Sequence, residues 1–235
     1  MRMTRWLTVC LGMALAGPGT ALAYEDPGPS FSWDVTLASR YLFQGIDFSN
    51  NNPVIQPEVG VTVRGVTFTA WLNGDLDEGH FNEIDLLASY DLEVGGTTIT
   101  PGYAYYLYPN RDPDIDPSQE VYVDFAHSMG VDLSLSVHYD FDKGDGAYGS
   151  FGVSREWETG PGAFGAGVTL FYQREYYATS GIPSVELATS YTIGVGSYSV
   201  TPALSYFATW DNADFQGEQA IPSRWWVAVS VGPKD

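Results

Sequence analysis

The chain has 235 residues, only 17% of them charged, and a formal net charge of −19. So large an acidic excess argues against nucleic acid as a partner, although acidity by itself also suits a saline habitat or plain solubility. After the N-terminus no segment approaches the roughly twenty apolar residues of a spanning helix, so any membrane crossing must be made by strands.

Met1–Arg5 is a short basic region, Trp6–Gly17 an apolar stretch, and Ala21-Leu22-Ala23 a small-residue cleavage site. Together they read as an export signal over residues 1–23, with the mature chain starting at Tyr24. Cys10 is the only cysteine and lies within that apolar stretch, which leaves the exported chain without a thiol or a disulfide. Residues 24–30, with Pro27 and Pro29, read as a flexible periplasmic leader.

From Phe31 onward apolar and polar residues alternate. In the first predicted strand Phe31, Trp33, Val35, Leu37, Tyr41 and Phe43 share one face, and Ser32, Asp34, Thr36, Arg40 and Gln44 the other. A period of two assigns these sets to opposite faces of a sheet. About twelve such strands of roughly ten residues follow, which is the pattern of a closed transmembrane β-barrel over residues 31–235. The alternative is a soluble β-sandwich, whose apolar face would pack on a second sheet.

The connections favour the barrel. Short ones fall at Arg64-Gly65, Val94-Gly96, Ser128-Gly130, Thr159-Gly162 and Gly194-Gly196. Longer polar ones run through Asp47–Pro53, Asp75–Phe81, Asn110–Ser118, Asp142–Gly146, Thr179–Pro183 and Asp211–Pro222. Outer-membrane barrels alternate short periplasmic turns with longer external loops, whereas a sandwich has no reason to. The outward aromatics also sort by depth. Phe31, Trp33, Tyr90, Trp157, Phe164, Tyr191 and Tyr198 lie near the short turns; Tyr41, Phe43, Tyr105, Tyr139, Phe141, Tyr172, Tyr206, Trp210 and Trp225 lie near the long loops. Between these two girdles stand aliphatic residues such as Val59, Val61, Leu86, Leu133, Leu135, Val168 and Leu187.

The chain also repeats. Tyr90, Val94, Gly95, Thr100, Pro101 and Tyr105 match Tyr191, Val195, Gly196, Thr201, Pro202 and Tyr206 at one constant offset, and Asp34–Leu37 echoes Asp132–Leu135. Proline costs a ladder hydrogen bond, so its return at one register favours duplication of a six-strand half over chance likeness between hairpins.

The polar face is unequal around the predicted barrel. Strands two to seven contribute Glu58, Glu83, Asp85, Asp124, Asp132, His138 and Asp140, with Arg40 and Arg64 the nearest cations. Strands eight to twelve contribute mostly small groups, including Gly152, Gly165, Gly167, Ala188, Ser190, Ala203, Ser205 and Ala228. One acidic wall facing one small wall predicts an open, narrow, cation-preferring pore lined by Arg40, Glu58, Asp85, Asp124, His138, Asp140, Glu186 and Arg224. The alternative is a structural lumen in which arginines neutralise the acids, within a barrel whose loops bind a partner.

Catalytic and metal constellations are weak. His80, His127 and His138 are widely separated, with no histidine or cysteine at ligand spacing. A membrane phospholipase needs a Ser/His pair facing lipid, and the only outward histidine, His127, stands beside a short turn. Asp112, Asp114 and Asp116 begin like a calcium loop, but Pro117 replaces the glycine and Val123 the terminal carboxylate. A solvated acidic loop is the simpler reading, with weak calcium or lipopolysaccharide-cation binding as the other. No enzyme and no cofactor is expected.

Ser39-Arg40-Tyr41-Leu42-Phe43-Gln44-Gly45-Ile46, with Ser49-Asn50 and Asn52-Pro53-Val54-Ile55-Gln56-Pro57 after it, resembles the opening motif of the TorF-type porin family. Pro101-Gly102-Tyr103, Tyr105–Pro109 and Glu120-Val121-Tyr122 resemble its central motif, so the likeness covers roughly Ser32–Phe125. The resemblance implies a bacterial outer-membrane barrel with a channel role. Its expected partners are outer-membrane lipid, lipopolysaccharide, small polar solutes and the barrel-assembly machinery. The chain departs from barrel custom at its end, Val229–Asp235, where a terminal aromatic is usual. Either the assembly signal is divergent or the last strand is atypical.

Overall fold

The computed structural model describes residues 28–110, 115–177, 179–209 and 224–234. The export signal, Asp112, Asp114, Trp210 and the loop Asp211–Pro222 lie outside the described residues.

Twelve antiparallel strands close into a barrel. They are β1 (Ser30–Ala38), β2 (Val54–Val63), β3 (Val66–Asp75), β4 (His80–Tyr90), β5 (Thr97–Leu107) and β6 (Ser118–Ser128), followed by β7 (Asp132–Asp140), β8 (Gly146–Thr159), β9 (Gly162–Tyr176), β10 (Ser184–Val195), β11 (Tyr198–Thr209) and β12 (Arg224–Pro233). Each pairs with its neighbours in chain order, and β1 pairs with both β2 and β12, so no edge is left. Closure satisfies the backbone internally, which a lipid environment demands. The last strand pairs along its length with β11 and also with β1, so its non-aromatic end leaves the ladder intact. Both described termini stand at the short-turn side.

The short turns are tight because their residues accept left-handed backbone. Arg64 and Gly65 have φ of 52° and 83°, the two-residue turn whose twist matches the strands it joins. On the long-loop side, Lys143 Nζ reaches Asp116 at 2.6 Å, and this contact holds the lysine ammonium above its ordinary pKa.

Facing follows the alternation. Val59, Leu86, Leu135, Val168 and Leu187 are among the exposed apolar residues of the outer surface, with Tyr90, Trp157 and Tyr198 toward the short turns and Tyr139, Tyr172 and Trp225 toward the loops. The recurring Pro101 and Pro202 occupy β5 and β11, six strands apart, as do Asp34 and Asp132 on β1 and β7. The repeat therefore maps onto two six-strand halves.

The first strand departs from expectation. It ends at Ala38, and Tyr41 and Phe43 are not in the outer girdle. They are 5% and 8% exposed because the chain from Ser39 to Pro53 turns inward and fills the long-loop end of the lumen.

Candidate functional site

The inward segment is a small hairpin. Leu42-Phe43 pairs with Ile46-Asp47 across Gln44-Gly45, whose φ values of 51° and 87° make a two-residue turn. Asp47, buried, organises its base. It accepts from Ser49 N and Ser49 Oγ at 3.0 Å each and from Asn51 N at 3.0 Å, and it faces Arg40 Nη1 at 3.6 Å. Ser49 Oγ accepts from Tyr41 N at 2.9 Å, and Arg40 O accepts from Trp226 Nε1 at 2.8 Å.

The hairpin reaches across the lumen. Tyr41 lies 5.6 Å from the Trp71 ring and donates to Glu83 Oε1 at 3.3 Å, on β3 and β4. Phe43 meets Tyr148 of β8 edge-on at 5.5 Å. At the tip, Gln173 Nε2 of β9 donates to Gln44 Oε1 at 2.9 Å and Ser184 Oγ of β10 donates to Gln44 O at 2.7 Å. Gly45 fits so closely that a Cβ there would stand 2.6 Å from Thr209 Cγ2 and 2.9 Å from Ser184 Cβ. Phe171, Phe207, Trp226 and Tyr176 complete a buried apolar cluster around the tip. The expectation of an open lumen is corrected here: bulky side chains and the hairpin occupy its long-loop end.

Below and beside the hairpin runs a polar brace on β5–β8. Glu120 Oε1 accepts from Tyr106 Oη, from Tyr148 Oη at 2.8 Å, and meets His138 Nδ1 at 2.5 Å. His138 Nε2 lies 2.8 Å from Ser136 Oγ, which donates to Asp124 Oδ1. Tyr122 and Tyr148 stack on the two faces of the imidazole, at 5.1 and 4.5 Å. Gly102 makes room for the Tyr122 ring, which passes where a Cβ would sit. Ser136, His138 and Glu120 have the connectivity of a nucleophile–base–orienter relay. However, the serine hydroxyl is committed to Asp124, and the flanking backbone N–H groups are committed to the ladders of β6, β7 and β8. The arrangement therefore braces the wall; it lacks donors to hold an oxyanion.

Of the residues expected to line the lumen, Glu58, Asp85, Asp124, His138, Asp140 and Glu186 are buried on the inward face. Arg40 begins the hairpin and Arg224 stands at the long-loop end of β12, both bonding Asn51 Oδ1. Arg64 is exposed at its turn. No lysine or arginine is buried among the described residues, and the half-buried Arg40 faces Asp47 at the hairpin base. Glu120 shares the period-two face of Asp124 and was legible from that spacing; the inward Trp71, Tyr106, Tyr148, Phe171, Phe207 and Trp226 fall on faces otherwise polar or small.

Opposite the acids, the small wall leaves a solvent-open cleft of about 50 Å³, lined by Gly152, Gly165, Gly167, Ala188, Ser190 and Ser205 among others, with Glu186 on its surface. Among the described residues no group of three or more His, Cys, Asp or Glu side chains could hold a metal ion.

An apolar outer belt around a closed antiparallel sheet with an acidic interior defines the class: a twelve-stranded β-barrel of transmembrane type. Residues 23–149 match the family described as bacterial protein of unknown function (Gcw_chp), and the chain belongs to that family. In fold it is similar to the NanC porin, at 12% identity and a TM-score of 0.58 over 86% of this chain and 100% of that one. It is equally similar to the KdgM porin, at 10% identity and 0.58 over 87% and 99%. No curated protein matches it.

Proposed function

We infer that this chain is a TorF-type outer-membrane porin: a narrow, passive channel preferring cationic or neutral polar solutes, exported by its N-terminal signal. The observation that carries this reading is the pairing of a buried acidic wall, with no buried lysine or arginine among the described residues, with a small-residue cleft along the opposite side. Carboxylates facing a narrow aqueous path concentrate cations and repel anions. The porin folds of the NanC and KdgM structures support the channel role through the shared architecture. The second reading, a structural or loop-binding barrel without a through-path, is favoured by one observation, the docked hairpin.

Reversal potentials across planar bilayers in a salt gradient separate them. The purified chain should conduct, prefer cations at low salt, and lose that preference as the Debye length falls from roughly 10 Å at 0.1 M to 3 Å at 1 M. Replacing Asp124 with Asn should weaken the preference. An anion preference would mean that Arg40 and Arg224 govern the constriction, and absence of conductance would establish the structural barrel.

A further inference from the structure

Four adjacent strands carry one transverse row of inward side chains. Glu58 of β2 is the direct partner of Trp71 of β3, Trp71 of Asp85 of β4, and Asp85 of Tyr106 of β5. Direct cross-strand partners have Cβ atoms about 4.5–5.5 Å apart, so acid, indole, acid and phenol are in side-by-side reach. All four are at most 6% exposed. Tyr41 of the hairpin rests on Trp71 from the long-loop side.

Asp85 is the anomaly in this row. It is fully buried, and neither carboxylate oxygen has a hydrogen-bond partner. Buried carboxylates are ordinarily paired, because an unpaired one forfeits its hydration without return. Here the neighbouring charges aggravate the cost, since those of Glu83, Glu120 and Glu58 all bear on Asp85. Glu120 Oε2 and Asp124 Oδ2 are likewise without hydrogen-bond partners on the adjoining wall.

We propose that the row Glu58–Trp71–Asp85–Tyr106 is a binding site for a protonated primary alkylamine, held at Asp85 and covered by Tyr41. The proposal takes the cation-preferring reading of the lumen as its starting point and names the solute class. An ammonium group brings three donors and no acceptor, which suits the two open carboxylate oxygens of Asp85. Its alkyl chain suits the ring surfaces, and the charge gains further from the indole face. A bare metal ion suits the row less well. Its acids alternate with rings, so Glu58 and Asp85 stand two strand spacings apart, roughly 9–10 Å, while a calcium ion holds its oxygens at about 2.3–2.6 Å. Because Asp85 is enclosed, the amine enters as the hairpin lifts Tyr41 from Trp71.

The test is calorimetric titration of the full chain in phosphatidylcholine nanodiscs at low salt, with 1,4-diaminobutane as the probe. Tetramethylammonium, which has no N–H, and magnesium chloride are the comparisons. Saturable diaminobutane binding is expected, at least about tenfold tighter than tetramethylammonium. Asp85→Asn, isosteric and neutral, should weaken it by about tenfold or more, with Glu58→Gln as a second variant; heat-modifiable migration on gels confirms that each barrel is folded. No saturable binding by the wild type overturns the site, as does equal binding by folded Asp85→Asn. Magnesium binding as tight as the amine overturns the solute class. Bilayer current in the same preparation keeps the readings apart: conduction without amine binding removes the site and leaves the channel, while amine binding without conduction removes the channel and leaves the site.

Discussion

The hairpin stands in the lumen because Gly45 lets it dock, and Gly45→Val should weaken that docking. The backbone at this position has φ of +87°, where a non-glycine residue costs roughly 1–2 kcal/mol and a β-branched one more. The new side chain would also begin 2.6 Å from Thr209 Cγ2 and 2.9 Å from Ser184 Cβ. Overpacking of that kind costs about 1–3 kcal/mol. The sum, roughly 2–5 kcal/mol, is comparable to or larger than the two hydrogen bonds at Gln44, together about 1–3 kcal/mol, while the buried Tyr41, Leu42, Phe43 and Ile46 still favour docking. At 1.4 kcal/mol per tenfold, the docked-to-undocked ratio should fall by roughly thirtyfold or more. The barrel ladders do not pass through this turn, so the fold should survive. Accessibility gives a readout that needs no conductance. Ile46, 1% exposed beside the turn, is changed to cysteine in a Cys10→Ser background, and maleimide labelling is timed with and without Gly45→Val. Labelling should be slow in the first protein and much faster in the second, with a larger single-channel conductance. Equal labelling and equal conductance in folded protein would refute the docked-plug reasoning.

Leu135, exposed on the outer face of β7, should tolerate apolar exchange, whereas Leu135→Arg should cost about 2–4 kcal/mol near the midplane, read from urea unfolding in lipid vesicles. Glu120→Ala strips the shared acceptor from Tyr106, Tyr148 and His138 and should cost about 3–5 kcal/mol by the same assay, as expected when one member of a buried polar pair is removed. Ala188→Trp fills the small-residue cleft and should reduce conductance without lowering the unfolding midpoint by a comparable amount; unchanged current would place the path elsewhere.

The barrel was legible because alternation reports sheet faces directly, and the outward sets at Val59, Leu86, Leu135, Val168 and Leu187 follow it on five different strands. The hairpin was not. Tyr41 and Phe43 continue the odd-numbered apolar series of Phe31–Leu37, so periodicity carries the strand past Ala38, and nothing local distinguishes an aromatic facing lipid from one facing another aromatic. A local signal did exist: Gln44-Gly45 sits between Phe43 and Ile46 as a two-residue turn between apolar flanks. The inward Trp71, Phe171, Phe207 and Trp226 were missed for a related reason. They occupy positions whose neighbours on the same face are polar or small, and they are there because the hairpin needs apolar partners, a tertiary fact that strand periodicity does not carry. The lumenal acids were legible as inward positions, yet the lack of any hydrogen-bond partner for Asp85 depends on what surrounds it in three dimensions.

The two six-strand halves have come to serve opposite ends. Matching prolines on β5 and β11 and matching Asp-x-x-Leu segments on β1 and β7 keep the register of a repeated unit. Inside, the equivalence is lost: most of the acids gather on β2 to β7, while glycine, alanine and serine dominate the inner face of β9 to β11 away from Phe171, Tyr176 and Phe207 at the hairpin's tip. The hairpin leaves β1 and docks its tip against β9, β10 and β11 near the long-loop end, which closes the space there and leaves the cleft further along the same wall. On the proposed reading, a path through this barrel would be off-axis. It would run beside small side chains and Glu186 and take its field from carboxylates across the lumen, where a low-dielectric wall strengthens the effect of each charge. On the proposed reading, the acids would set which solutes enter and the Gln44-Gly45 turn would help set whether the path is open. The two are joined at Tyr41, which leaves the hairpin to donate to the lumenal Glu83 and to rest on Trp71, so undocking the hairpin should also alter the acidic wall.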